Sequence, residues 1–266
     1  MSNRLTNCFD RLRSEKRKAF VAYITAGDPS LSVTPELVWA LERAGADVIE
    51  LGIPFSDPLA DGVVNQQAAQ RALESGATLA GLLKTIQQIR TKSSVPIILF
   101  TYLNPLYRFG LNNFSAQAHQ AGADGILLLD LPLEESLVQT QEVERELCRI
   151  HLIAPTTPPE RLAVIARAAS GFVYYVSREG VTGMQSEVAQ GVSMQVQAIR
   201  DYTSIPICVG FGISNPDQAR KVARIADGVV VGSSLVSKIG EWGREPDIAQ
   251  RLENFARPFA EAIHAC

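Results

Sequence analysis

One pattern runs the length of this chain and constrains its fold more than any other feature: a short apolar run, a turn, then an amphipathic stretch. The runs are Phe20–Thr25, Asp47–Leu51, Pro96–Thr101, Gly125–Leu129, Ile150–Ala154, Gly171–Val176, Pro206–Val209 and Gly228–Val231, eight in all. They are nearly continuous in Val, Ile, Leu and Phe rather than alternating, as a parallel strand covered on both faces requires. The stretches between them carry helical periodicity. Pro35–Ala44 sets Leu37, Val38 and Leu41 on one stripe, and Leu79–Arg90 gathers Leu82, Leu83, Ile86 and Ile89. Glu134–Leu147, Pro159–Ala168, Val188–Arg200, Pro216–Ile225 and Ser234–Ile239 fill most other gaps, and Ile248–Ile263 reads as a terminal helix on the outside. Gly45, Gly122 and Gly228 are expected to close helices in the left-handed conformation just before strands. Asn112–Phe114 and Glu241–Asp247 read as connections.

Eight strands alternating with helices, with no linker or composition break, predict a single α/β domain over residues 1–266: a closed (β/α)8 TIM barrel. Such barrels typically take about 250 residues. An open doubly wound sheet is the runner-up, but it rarely needs eight equal units. Hydrophobic content of 46% and charged content of 20% suffice for a full core. The net charge of −3 and a longest basic block of only Lys16-Arg17-Lys18 argue against a nucleic-acid footprint. An anionic small molecule stays open, because backbone amides bind phosphate without net positive charge. Cys8, Cys148, Cys208 and Cys266 are far apart, and only three histidines accompany them, which argues against a zinc site or a disulfide framework. A polar N-terminus and the lack of any apolar run near about 18 residues predict a soluble, cytoplasmic protein.

Barrels of this kind place their chemistry at the C-terminal ends of the strands and in the loops that follow. After the second strand comes Glu50-Leu51-Gly52-Ile53-Pro54-Phe55-Ser56-Asp57-Pro58-Leu59-Ala60-Asp61-Gly62. Glu50 is an acid inside an apolar strand. It is either a structural carboxylate paired with a neighbouring Arg or Lys, or a proton-transfer group whose pKa the apolar surroundings raise. Asp57 and Asp61 stand in a Pro/Gly-rich loop, where turn chemistry is the bland reading and the better one for Asp57. One buried and one loop carboxylate suit divided acid/base work. Three further loops bear glycines: Gly180–Gly183, Gly210–Ser214 and Gly232–Ser234, after strands six, seven and eight. Together they predict a phosphate cradle of backbone N–H groups, with Ser233 and Ser234 adding hydroxyl donors at a helix start.

Five runs resemble the tryptophan synthase alpha subunit family in order along the chain: Ala26–Pro29, Glu50–Gly62, Asp130–Glu135, Gly180–Gly183 and Gly210–Ser214. The resemblance implies a lyase that splits indole-3-glycerol phosphate by a retro-aldol reaction. It implies Glu50 as the proton-transfer residue and Asp61 as the stabiliser of charge at the indole nitrogen. By the same resemblance Tyr23, Phe100, Leu127 and Phe211 line an apolar slot, Tyr174 is a pocket tyrosine, and Thr182 engages the aspartate. Gly183, Gly212, Gly232 and Ser233 then match the phosphate cradle. It further implies no metal and no organic cofactor in this chain. Pyridoxal phosphate is expected only in a beta subunit, docked through Pro54–Pro58 and Asn104–Gly110 in an assembly of two alpha and two beta chains. Asp57, Pro58 and Asn104 belong to that surface. The chain departs from the family pattern at Val63-Val64-Asn65-Gln66, where a proline and an apolar residue are usual, and at Glu179. A specialised or stand-alone lyase, or a weakly catalytic regulator of a beta partner, are the alternatives. A different phosphate-binding barrel enzyme is disfavoured because no predicted strand carries a lysine and only His151 stands on one.

Overall fold

The computed structural model describes residues 3–135, 147–177, 186–210, 212–243 and 245–266, without the side chains of 112 and 186–190. Eight parallel strands close into a barrel in sequence order: β1 (Ala19–Thr25), β2 (Val48–Gly52), β3 (Ile97–Thr101), β4 (Gly125–Leu128), β5 (Cys148–Ile153), β6 (Val173–Val176), β7 (Ile207–Gly210) and β8 (Gly228–Val231), with β8 pairing back onto β1. Alternate side chains along a strand face opposite ways. Val21, Val48, Ile98, Leu127, Ile150, Cys208 and Val230 therefore meet inside the barrel. Phe20, Ala22, Ile24, Ile49, Leu51, Ile97, Leu99, Val209 and Val229 meet the surrounding helices. Both faces being covered is why these strands read as unbroken apolar runs.

The helices are α1 (Arg4–Ser14), α2 (Thr34–Ala44), α3 (Val63–Glu74), α4 (Leu79–Arg90), α5 (Leu103–Phe109), α6 (Leu111–Ala121), α7 (Pro159–Ala168), α8 (Ser186–Arg200), α9 (Pro216–Ala223), α10 (Ser233–Trp242) and α11 (Ile248–His264). The predicted stretch Glu134–Leu147 lies mostly outside the described residues. The expected connection at Asn112–Phe114 is instead the first turn of α6, which buries Phe114, Ala118 and Ala121. Two asparagines after a glycine look like a turn, but the apolar spacing beyond them carries the helix. The expected connection at Glu241–Asp247 begins only after Trp242, where α10 ends. α1 was hidden by its charge: Leu5, Cys8, Phe9 and Leu12 form a buried stripe in an otherwise polar segment. That stripe plugs the N-terminal end of the barrel, with the Phe9 ring 5.7 Å from Phe172. Burying side chains of this size contributes roughly 1.5–3 kcal/mol each.

Gly45 and Gly122 end α2 and α6 at φ 107° and 101°, as their sequence context predicts. Gly228 does something else: it lies within β8, where an added Cβ would meet Cys208 Sγ and Ala19. Three aspartates at strand starts brace the same end of the barrel. Asp47 Oδ2 accepts the Phe20 N–H at 2.9 Å, Asp124 Oδ2 the Ile97 N–H at 2.9 Å, and Asp227 Oδ2 the Ile207 N–H at 3.0 Å. Each carboxylate thereby pins the neighbouring strand in register. Among the described residues no helix is long and apolar enough to cross a membrane.

Candidate active site

Strand parity decides where Glu50 goes. Val48 faces the barrel interior, so Glu50, two residues on, faces it too, at the C-terminal end of β2. The residue is 1% exposed and neither carboxyl oxygen has a hydrogen-bond partner. Loss of hydration is the whole cause of its shift, which carries the carboxyl up to about 8. An ion-paired structural carboxylate would have been held down by its cation. Glu50 is therefore neutral at neutral pH.

Glu50 opens on a cavity of about 270 Å³, bordered by Tyr23, Phe100, Tyr174 and Val230, by Gly62 to Asn65, and by Gly212, Ile213, Gly232 and Ser233. The Tyr23 and Phe100 rings meet edge to face, centroids 5.0 Å apart at 70°. Each tyrosine sits in a place that a glycine vacates. A Cβ on Gly52 would collide with the Tyr23 hydroxyl, and one on Gly210 with the Tyr174 hydroxyl. Gly210 is thus a strand residue that seats a tyrosine rather than part of a phosphate loop. Burial raises the pKa of both hydroxyls, so they remain neutral. Leu127 departs from expectation: it is fully buried in the inner layer beside Phe100 and does not border the cavity. Thr182, Gly183, Phe211 and Glu179 lie outside the described residues.

Asp61 stands in the loop between β2 and α3, half-buried, next to the Gly62–Asn65 wall. Burial raises its pKa, and two donors oppose that shift, first the Tyr102 hydroxyl at 2.9 Å and then the Asn65 amide at 3.4 Å. The Tyr102 oxygen also accepts the Ala60 N–H at 2.9 Å, and its ring packs on Phe55 at 5.4 Å. Tyr102 was not singled out in the sequence. It directly follows β3, in the zone the barrel rule marks, but its partner lies 41 residues away. Asp130, after β4, accepts the Leu103 N–H at 2.7 Å and so caps α5.

Gly232 and Ser233, at the N-terminus of α10, also border the cavity, with Gly212 and Ile213. The free N–H groups and positive end of a ten-residue helix make this part suited to an anion. Ser234 is otherwise engaged, donating to the Ile213 carbonyl at 3.2 Å. The region therefore brings an aromatic-walled cavity, a neutral buried acid and a helix N-terminus together, with a held carboxylate in the adjoining loop.

A family model of the tryptophan synthase alpha chain matches residues 9–264. The chain belongs to the tryptophan synthase alpha chain family. It is 50% identical over 245 residues to the tryptophan synthase alpha chain of Opitutus terrae, covering 90% of each. With that of Geobacter sulfurreducens it shares 46% identity over 262 residues, covering 98% of this chain and 99% of the other. The crystal structure of tryptophan synthase subunit alpha from Legionella pneumophila superposes with a TM-score of 0.92 at 37% identity, covering all of both chains. The aminoacrylate-bound form of Mycobacterium tuberculosis tryptophan synthase gives 0.86 at 31% identity, over 98% of this chain and 100% of that one.

The departures from the tryptophan synthase alpha pattern now have places. Val63, where a proline is usual, is the first residue of α3 and stands largely exposed. Asn65 sits one turn on from Asp61, in the cavity wall. Asp57 and Asn104 are exposed and Pro58 is half-buried, with Leu59 (93% exposed) and Tyr107 (70%) beside them. Among the described residues no group of three or more His, Cys, Asp and Glu is placed to hold a metal ion.

Proposed function

We propose that this chain cleaves indole-3-glycerol phosphate to indole and glyceraldehyde 3-phosphate, as the alpha subunit of tryptophan synthase in tryptophan biosynthesis. One observation carries the reading: Glu50 is a sealed, unpartnered carboxyl, raised to about 8, at the mouth of an aromatic-walled cavity. Being protonated at neutral pH, it delivers a proton to indole C3. Positive charge then develops at the ring nitrogen, and the Asp61 carboxylate, steadied by Tyr102, faces it. The Glu50 carboxylate next takes the proton of the side-chain hydroxyl on the carbon attached to C3. As the aldehyde C=O forms, the bond to C3 breaks and its electron pair restores the aromatic ring. Glu50 ends protonated, as it began, so one residue serves as acid and then base. The protonated ring acts as the electron sink, so this route calls on no metal and no organic cofactor. The α10 N-terminus, with Gly212, Gly232 and Ser233, takes the phosphate.

The exposed apolar pair Leu59 and Tyr107, flanked by Asp57, Pro58 and Asn104, supplies a docking surface for a beta subunit that carries the pyridoxal phosphate. A phosphorylated substrate does not cross membranes unaided, which goes with a cytoplasmic location. The test is indole release from indole-3-glycerol phosphate by the purified chain, with and without a beta subunit. Slow release that rises sharply with the partner is expected. Fast release alone would mark a stand-alone lyase. Stimulation of the partner without any cleavage would mark a regulator, and would overturn this reading.

A further inference from the structure

Among the described residues, four buried side-chain polar atoms lack a hydrogen-bond partner, and three belong to residues bordering this one cavity: both carboxyl oxygens of Glu50 and the amide oxygen of Asn65. The fourth, His151 Nε2 on β5, does not border it. Folded interiors leave few such atoms, and each asks for an explanation. Glu50 has one in the chemistry above; Asn65 has none yet.

The orientation of the Asn65 amide follows from its neighbour. Its Nδ2 donates to Asp61 Oδ1 at 3.4 Å. Turned over, it would set one acceptor oxygen against another, which carboxylate chemistry forbids. The N–H side is thus committed to Asp61, and the carbonyl oxygen is left over. Asp61 lies just ahead of α3 and Asn65 in its first turn, four residues on, where Asn65 borders the cavity. The Tyr102 hydroxyl holds Asp61 Oδ2 and the Asn65 amide holds Oδ1, one donor for each carboxylate oxygen.

We propose that Asn65 is a positioning and selectivity residue of this cavity: its amide N–H holds the Asp61 carboxylate in place, and its amide oxygen accepts a hydrogen bond from an N–H or O–H donor on the bound substrate. The inference rests on the functional reading above and adds a residue to it. An acceptor that no protein donor meets favours a ligand that brings a donor over one that has none. A site that leaves buried polar groups unpaired rejects such an analogue far more sharply than an apolar slot does.

The test replaces Asn65 by Leu, close in shape but without donor or acceptor, and by Ala, which adds no bulk should Leu fail to fold. Binding of two ligands is measured by calorimetry in the presence of Glu50→Gln, which blocks turnover: indole-3-glycerol phosphate and the hydroxyl-free indole-3-propyl phosphate. Weakening of about 2- to 10-fold is expected, the worth of one net hydrogen bond. The unfolding midpoint without ligand should hold or rise for Asn65→Leu. Weaker binding of both ligands assigns the donor to the ring N–H, and weakening of the hydroxylated ligand alone assigns it to the side chain. On the otherwise unaltered chain, each variant should also move the acidic limb of the kcat–pH profile upward, because one of the two donors opposing the Asp61 shift is gone. Unchanged affinity for both ligands together with an unchanged acidic limb would overturn the inference. If the chain with its native Asn65 neither binds nor cleaves, the functional reading fails instead.

Discussion

At the N-terminal end of the barrel Asp47, Asp124 and Asp227 are each met by donors, whereas at the C-terminal end Glu50 is met by none. Asp124 shows the first case in full: it accepts Arg4 at 2.8 Å on one oxygen, and Arg90 at 2.8 Å with a backbone N–H on the other. Asp47 adds His264 at 2.8 Å to its backbone donor, tying α11 to the barrel floor. Charge-assisted bonds of this kind offset the cost of burying an anion. Glu50 receives no such offset, so its proton stays on until about 8. Nearness to the active face is not the cause, since Asp28, after β1, is gripped by Arg71 at 2.9 and 2.7 Å. Burial alone therefore does not make a proton-transfer group. Burial with the partners withheld does, and the cost falls on stability at one end while the other end supplies it.

The sharpest way to break this contrast is Glu50→Gln. Indole release should fall by about 10²–10⁴-fold while the fold persists; near-normal turnover would put Glu50 among the structural carboxylates. The same variant tests the sign of the linkage. The unfolded carboxyl ionises near 4.5 and the folded one near 8, so between those values the native state holds the extra proton. Native stability should therefore fall as pH rises through that window and level off above it. Glu50→Gln should flatten this decline, as read from urea midpoints at pH 5 and pH 8.

Asp124→Ala attacks the other end. It leaves Arg90, which is mostly buried, with carbonyl acceptors but no adjacent carboxylate, and should cost about 3 kcal/mol of stability with kcat of the folded enzyme unchanged. Loss of kcat at full stability would contradict the division of labour. Tyr102→Phe removes the donor on Asp61 Oδ2. A fall in kcat of up to about 10-fold is expected, with the acidic limb of the pH profile moving upward as the opposing donor is lost. The smallest effect is expected for Arg4→Ala. Its guanidinium is half-exposed, so its pair with Asp124 should be worth under about 1 kcal/mol in a chemical denaturation curve.

Much of this was legible along the chain. The eight apolar runs become eight strands, and the helices at Leu79–Arg90 and Pro159–Ala168 begin and end where their periodicity does. α3 was missed because its buried face is Ala68, Ala69 and Ala72, too small to mark a stripe among glutamines. The same rule that pointed to Glu50 and Asp61, chemistry at strand C-termini, pointed also to Tyr102, but a tyrosine beside an apolar run reads as core until its hydroxyl has a partner. Leu127 differs the other way: its residue type suits an apolar slot, but it packs in the inner layer beside Phe100 without bordering the cavity.

By itself, then, the sequence determined the alternation of strand and helix, the closed barrel, and which residues stand at the ends of strands, since these rest on periodicity and local turn chemistry. The tertiary structure alone decided which of those residues touch. Register sets Tyr23 opposite Glu50 and seats its hydroxyl over Gly52. Pairing of β2 with β3 brings Tyr102 to Asp61 across 41 residues, and the packing leaves Glu50 with nothing within hydrogen-bond reach. A carboxyl's pKa is set by what surrounds it in space, and that is assembled from distant segments, so it cannot be written in the few residues on either side.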